Sequence, residues 1–216
     1  MAVAELDALA ANIEDRRKPH IDELHRTFLR TINALSRIME IRDLYTLGHQ
    51  QKVSQIARSI GRELGLSGNV IEGMRVGATL HDIGKLGVPA EILAKPATLT
   101  PVEFELVKTH SALGHSILKE INFPWPVAEM VHQHHERLDG SGYPQGLKGD
   151  DILIEAQIIG LADALDSIAS HRPYRPSLGA EQAMEIIGQG AGSLFNPQAV
   201  EACRRLLKRG EISLDK

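Results

Sequence analysis

A single cysteine, Cys203, stands in 216 residues. That excludes an internal disulfide framework and fits a reducing compartment. Aromatic residues make up only 4% of the chain and none interleaves with a basic stripe, so stacking platforms for polymeric nucleic acid are unsupported. No apolar run approaches the roughly 20 residues that cross a bilayer, and the N-terminus lacks a signal-peptide pattern. The expectation is a soluble cytoplasmic protein with no membrane partner. A formal net charge of −4 argues against a general polyanion binder, so any affinity for phosphate has to be local. Strand-type alternation is nowhere sustained. The tract Gly188-Gln189-Gly190-Ala191-Gly192-Ser193 lacks the lysine and the preceding strand of a P-loop, and reads as a connection before the last helix.

What the chain does have is helical periodicity throughout, with 43% hydrophobic and 24% charged residues, values ordinary for one globular domain with a real core. The class expected is an all-α bundle. Pro19 punctuates the N-terminal region, and after it Ile21, Leu24, Phe28, Thr31, Leu35 and Ile38 form a short heptad-like seam. This seam is either an amphipathic helix packed on the domain or a stem for a homodimer or a sensor partner. Residues 1–40 are assigned to this N-terminal stem and 41–216 to the main domain. Further helices are expected through Tyr45, His49, Val53 and Ala57, and from Val76 to Lys85. Thr100-Pro101 supplies a capping residue and a proline at the first helical position, opening a helix through Phe104, Val107 and His110. Another helix bears His134, one runs from about Ile152 to Ser170, and Asn196-Pro197 starts the last, with Cys203 in its core. Asp139 to Asp150 is a glycine-rich loop.

Ten histidines are placed unevenly along this pattern. His134-His135-Glu136-Arg137-Leu138-Asp139-Gly140-Ser141-Gly142-Tyr143-Pro144 joins two imidazoles to a rigid loop, and His81-Asp82-Ile83-Gly84-Lys85 lies upstream. His134 and His135 straddle the inward line of Val131, whereas His132 lies further round and reads as peripheral. His81 and Asp82 sit between Leu80 and Ile83, where a lone carboxylate is costly. Lys85 brings a cation to the same face, sensible where an anion sits between them. His49, His110 and Asp163 also fall on apolar stripes. Each alone is more often a satisfied core group than a ligand. Together, neutral imidazoles and carboxylates on inward faces point to more than one divalent metal and to hydrolysis of a phosphate ester.

In order, His49, His81-Asp82 with Lys85, His110, His134-His135-Glu136, the Asp139-to-Pro144 loop and Asp163 resemble the HD-GYP subgroup of the HD phosphohydrolase superfamily. The likeness spans roughly residues 40–207, with Arg172-Pro173-Tyr174-Arg175-Pro176 in further agreement. It implies an HD-domain helical bundle and a pair of divalent cations. His49, His81, Asp82 and Asp163 would hold one ion. Asp82, His110, His134 and His135 would hold the other, with Asp82 bridging. Some family members hold a third ion through a glutamate at the place taken here by Tyr45, so two are expected. The ligand set suits iron or manganese, with nickel or zinc also compatible.

The resemblance further implies cyclic di-GMP as substrate, cut to pGpG and then to GMP by a water made acidic between the cations. His81, Asp82 and Lys85 would be the catalytic core. Lys85 would touch the scissile phosphate, Arg172 and Arg175 would grip phosphate or guanine, and Asp166 would help order the substrate site. Tyr143 would stack or donate to phosphate, or the loop would be a structural turn only. Arg137 would do no more than cap a surface. Two other readings stand beside this one: a related hydrolase of another cyclic dinucleotide or nucleotide, and a weakly active module that binds the messenger.

Overall fold

The computed structural model describes residues 2–42, 48–170 and 177–214, so Tyr45, Arg172 and Arg175 lie outside the described residues. Among the described residues every regular element is a helix: α1 (Ala2–Arg42), α2 (His49–Glu63), α3 (Gly68–Leu80), α4 (Ala90–Leu93), α5 (Pro101–Leu118), α6 (Val127–Gln133), α7 (Ile154–Ala169), α8 (Gly179–Gln189) and α9 (Pro197–Lys208). None of these helices is long and apolar enough to cross a membrane.

Local chemistry sets several of the ends. The Ser67 hydroxyl accepts from the Val70 amide at the start of α3. Gly65 takes φ 74° after α2, and the Leu66 amide returns to the Gly61 carbonyl at 3.0 Å, a left-handed stop that favours glycine. At α5, Thr100 and Glu103 form a reciprocal capping box ahead of Pro101. Asn196 accepts from the amides of Gln198 and Ala199 to open α9.

Two expectations change at the N-terminus. Pro19 lies inside α1 rather than ending it; one missing amide and a ring clash cost about 3 kcal/mol, which a helix this long absorbs. The stripe that packs is Phe28, Ile32, Leu35 and Met39, while Leu24 and Ile38 of the expected seam are exposed. The reason is pitch: a straight helix packed on a globular domain presents positions spaced by four, three and four to one side.

The apolar residues gather into two clusters. The larger joins Val53, Ile60, Met74, Ile158, Leu165 and Cys203 from α2, α3, α7 and α9. The smaller joins Ile32 and Met39 of α1 to Val76, Leu80, Val127 and Val131. Helices α3 and α6 feed both, Met74 and Met130 facing one cluster, Leu80 and Val131 the other. Buried beside these apolar residues are His49, His81, Asp82, His110 and His134. Helices α4 and α8 have no counterpart in the sequence expectation.

Candidate metal centre

The expected helix from Val76 to Lys85 is two elements. α3 stops at Leu80 with His81 as its cap. Asp82 takes φ −95° and ψ 4°, and Ile83–Gly87 forms a 3-10 turn. Gly84 explains the tight course. A Cβ there would meet the Gly114 amide nitrogen at 2.5 Å and the His110 carbonyl carbon at 2.7 Å, with the His110 carbonyl oxygen nearer still. The turn therefore lies directly on the backbone of α5. This contact carries Asp82 to His110, with Asp82 Oδ1 and His110 Nε2 3.6 Å apart.

Three of the other ligand-type residues arrive from helix ends, and one from the middle of a helix. His49 is the first residue of α2, after Gly48 at φ 76°, and the Gly48 amide donates to Glu40 of α1 at 3.0 Å. α6 ends one residue before His134, so His134 and His135 occupy its closing turn and not its body, where the sequence reading places them. Asp163 stands in the middle of α7.

Their orientation is decided by the ring nitrogen that faces away from the centre. His81 Nδ1 donates to the Ala78 carbonyl at 2.8 Å, His110 Nδ1 to Val107 at 2.7 Å, and His134 Nδ1 to Val131 at 2.6 Å. His49 Nδ1 donates to Asp166 Oδ2 at 2.6 Å. A carbonyl only accepts, so each of the three rings anchored on one carries a proton at Nδ1 and turns Nε2 inward, the nitrogen that is bare in the neutral tautomer so selected; the Asp166 carboxylate selects the same tautomer in His49. There the His49 Nε2–Asp163 Oδ1 distance is 3.1 Å, His81 Nε2–Asp82 Oδ2 is 3.4 Å, and His110 Nε2–His134 Nε2 is 3.3 Å.

These separations suit ligands sharing a cation. Metal–ligand bonds of roughly 2.0–2.2 Å put adjacent donors about 3.0–3.5 Å apart. Two groups of donor atoms form, His49–His81–Asp163 and His110–His134–His135, and a third group of His81, Asp82 and His134 links them. Asp82 directs one oxygen to His81 and the other to His110, the disposition of a bridging carboxylate. The fit has an independent mark: His81 Nε2 is buried without a hydrogen-bond partner, a costly state unless a cation completes it.

Electrostatics agree with ligation. Burial holds His110, His134 and His135 below the ordinary imidazole range, and for His134 and His135 the neighbouring rings add to it. Burial works to raise Asp82 and Asp163, yet Lys85 and His81 pull Asp82, and His49 pulls Asp163, well below the usual carboxylate range. At neutral pH His110, His134 and His135 are thus neutral and Asp82 and Asp163 charged, the forms that bind metal. Lys85 Nζ rests 2.8 Å from Asp82 Oδ2 across the 3-10 turn, three residues on and not by the helical spacing expected.

The loop after His135 flanks this centre. Buried Glu136 accepts from the amides of Gln145 at 2.7 Å and Leu147 at 3.0 Å, and Asp139 accepts from the Ser141 amide at 2.9 Å. Gly142 packs against the backbone of His135, Glu136 and Arg137 with no room for a Cβ. The Tyr143 ring comes to lie 4.7 Å from that of His135. A pocket opens there, with Phe104, Lys108, His135, Ser141 and Tyr143 among its walls. Burial first, then the charges of Asp163 and Asp82, push the Tyr143 phenol upward in pKa, so it remains a hydrogen-bond donor at neutral pH.

Three roles differ from, or were absent in, the sequence expectation. Asp166 sits behind His49, accepting from its Nδ1 and from Ser170 at 3.1 Å, so its shown contact is with a ligand-type imidazole. Arg137 is no surface cap: it donates to the Glu136 carbonyl at 2.9 Å and lies 5.0 Å over the Phe195 ring, bracing the segment that carries both histidines. Glu136 was not singled out, although a glutamate preceding a glycine-rich loop with amides to satisfy is the signal that points to it.

Comparisons with known proteins follow the same lines. A family model described as HD domain matches residues 33–199. A cyclic di-GMP phosphodiesterase of Thermotoga maritima is 38% identical over 198 residues, covering 91% of this chain and 54% of that protein. A 3'3'-cGAMP-specific phosphodiesterase of Vibrio cholerae is 35% identical over 176 residues, covering 82% of this chain and 38% of that protein. The chain therefore spans about half, or less, of the length of these relatives. The solved structure of an HDG"Y"P protein from Bdellovibrio bacteriovorus superposes with a TM-score of 0.63 at 22% identity, covering 74% of this chain and 51% of that one, a likeness of fold.

Proposed function

The chain belongs to the HD domain family, and from that premise we propose that it is a metal-dependent phosphodiesterase that hydrolyses cyclic di-GMP. The observation that carries the proposal is the convergence of His49, His81, Asp82, His110, His134, His135 and Asp163, with the unpartnered His81 Nε2 at its centre.

Two cations held by these residues would supply an acidified water and neutralise charge on a phosphoryl group. Iron or manganese fits the imidazole and carboxylate set, with nickel and zinc next. The remaining work falls to the chain itself. Asp82 is the shared carboxylate, and Lys85 beside it directs its ammonium at the equatorial phosphoryl oxygens. Tyr143, protonated, donates to a phosphate or stacks on a base at the edge of the pocket. Glu136 and Arg137 hold the loop and the His134-His135 segment in register for this. Arg172 and Arg175 complete the grip on phosphate or guanine by paired hydrogen bonds. The first product is pGpG, with slower cleavage to GMP. The outward Leu24, Ile38 and Ile41 of α1 favour pairing of two copies through the N-terminal stem.

A second reading is 3'3'-cGAMP as substrate, supported by the Vibrio cholerae relative of that specificity at 35% identity. One experiment addresses both. Protein purified anaerobically and loaded with Fe(II) or Mn(II) is assayed against cyclic di-GMP, 3'3'-cGAMP and simple nucleotides, with products resolved by chromatography. The proposal expects fastest turnover of cyclic di-GMP to pGpG, abolished in His81→Ala. Fully loaded protein that leaves every cyclic dinucleotide intact overturns it.

A further inference from the structure

Outside the centre, a second group of metal-type ligands stands on the outer face where α5 meets α6. His115 of α5 has Nε2 2.9 Å from Oε1 of Glu129 on α6. His132, one turn further along α6, stacks on His115 with ring centroids 4.5 Å apart and planes inclined by 21°. One donor atom from each of the three residues lies within 4.8 Å of the others. Glu129 and His132 are three residues apart, so they share a helix face; Met130 and Val131 between them turn into the two apolar clusters. This group is therefore separated from the catalytic centre by the body of α6, although the same helix serves both.

We propose that His115, Glu129 and His132 form a surface site for a divalent transition-metal ion that clamps α5 to α6, the His132 ring turning out of its stack on His115 so that an in-plane nitrogen of each ring reaches the ion. Two imidazoles and one carboxylate suit Zn(II), Ni(II) or Cu(II), and a single carboxylate is too poor in oxygen for Ca(II) or Mg(II). Solvent fills the remaining positions, since Glu129 and His115 are both partly exposed. The clamp has a mechanical consequence. α5 carries His110, and α6 runs into His134 and His135, so a cation outside fastens together two helices that both lead to inner ligand-type residues. Without it, His115 and Glu129 make an ordinary surface ion pair, worth little, and His132 has no shared role.

The test is the amount of Zn(II) retained after gel filtration by the full chain, with circular dichroism as a check on folding. Wild type retains one equivalent more than the His115→Ala/His132→Ala double variant. Glu129→Gln lowers affinity for that equivalent at least tenfold. A central variant, His110→Ala, keeps the outer ion while losing the inner ion that His110 helps to hold, so failure of this proposal and failure of the catalytic one are told apart. A second readout uses Cu(II): the nitrogen splittings in its electron paramagnetic resonance spectrum lose the contribution of one imidazole when His132→Ala is introduced. Equal Zn(II) retention by wild type and the folded double variant overturns the proposal. So does a Cu(II) spectrum unchanged by loss of His132.

Discussion

Replacing Gly84 by alanine tests whether the centre depends on backbone contact between the 3-10 turn and α5. The added methyl would stand 2.5 Å from the Gly114 nitrogen and 2.7 Å from the His110 carbonyl carbon. Ordinary carbon contacts need roughly 3.5 Å, so the two elements must part by about 1 Å. Both obstructing groups are backbone, so no side-chain rotation relieves the clash. Overpacking of this kind costs about 1–3 kcal/mol, which in a chain of this size lowers the thermal midpoint by about 2–12 °C. The larger effect falls on the metals. Ligand distances tolerate about 0.2 Å, whereas the displaced turn carries Asp82 away from His110, now 3.6 Å from it. Gly84→Ala is expected to bind the inner cations poorly and to lose most turnover even at temperatures where it is folded. Gly68→Ala is the control: no atom lies within 4 Å of its Cβ position, and it opens α3, so it should be neutral or up to about 1 kcal/mol more stable. The assays are calorimetry, elemental analysis and product chromatography on both variants. A Gly84→Ala protein with wild-type metal content and an unshifted midpoint would refute the reasoning.

Asp166→Ala removes the acceptor of His49 Nδ1. It should weaken metal binding about 10–100-fold while leaving KM unchanged once metal is saturating. A raised KM with metal affinity intact would instead return Asp166 to the substrate. Glu136→Gln deprives one of the amides of Gln145 and Leu147 of its acceptor, at about 1–3 kcal/mol. Hydrogen exchange at these amides should quicken while the metals stay bound; unaltered exchange would show that the loop is held by other means. Cys203 is fully buried, and burial pushes its thiol up to about 12. At pH 8 only roughly one thiolate in ten thousand is then present, so the folded protein should resist aromatic disulfide reagents that label it at once in denaturant. Stoichiometric labelling of the native protein within minutes would contradict this.

The ligands were legible because metal chemistry restricts residue types and because buried polar groups on apolar stripes need partners. By these two rules His49, His81, Asp82, His110, His134, His135 and Asp163 stand out together, and their order along the chain carries the resemblance that implies them as a ligand set. Thr100-Pro101 and Asn196-Pro197 were legible as helix starts, since capping acts within one turn. The break after Leu80 was not, because its cause is Gly84 meeting a carbonyl on α5, and periodicity carries no information about a distant backbone. The same holds for Asp166, whose partner His49 is 117 residues away, and for Arg137, which rests on Phe195. His132 looked peripheral to the inner centre; its pairing with His115 and Glu129 exists only because α5 packs on α6.

Composition and periodicity alone therefore determined an all-helical chain with histidines and aspartates on its inward faces, and the HD-GYP resemblance named them as a ligand set, since helix pitch and donor type are properties of residues and their near neighbours. Only the tertiary structure decided which imidazole nitrogen faces inward, where the backbone turns so that Asp82 reaches both histidine groups, and what braces the loop beside them. Those depend on carbonyls, amides and carboxylates that come within hydrogen-bonding range after the two apolar clusters have closed.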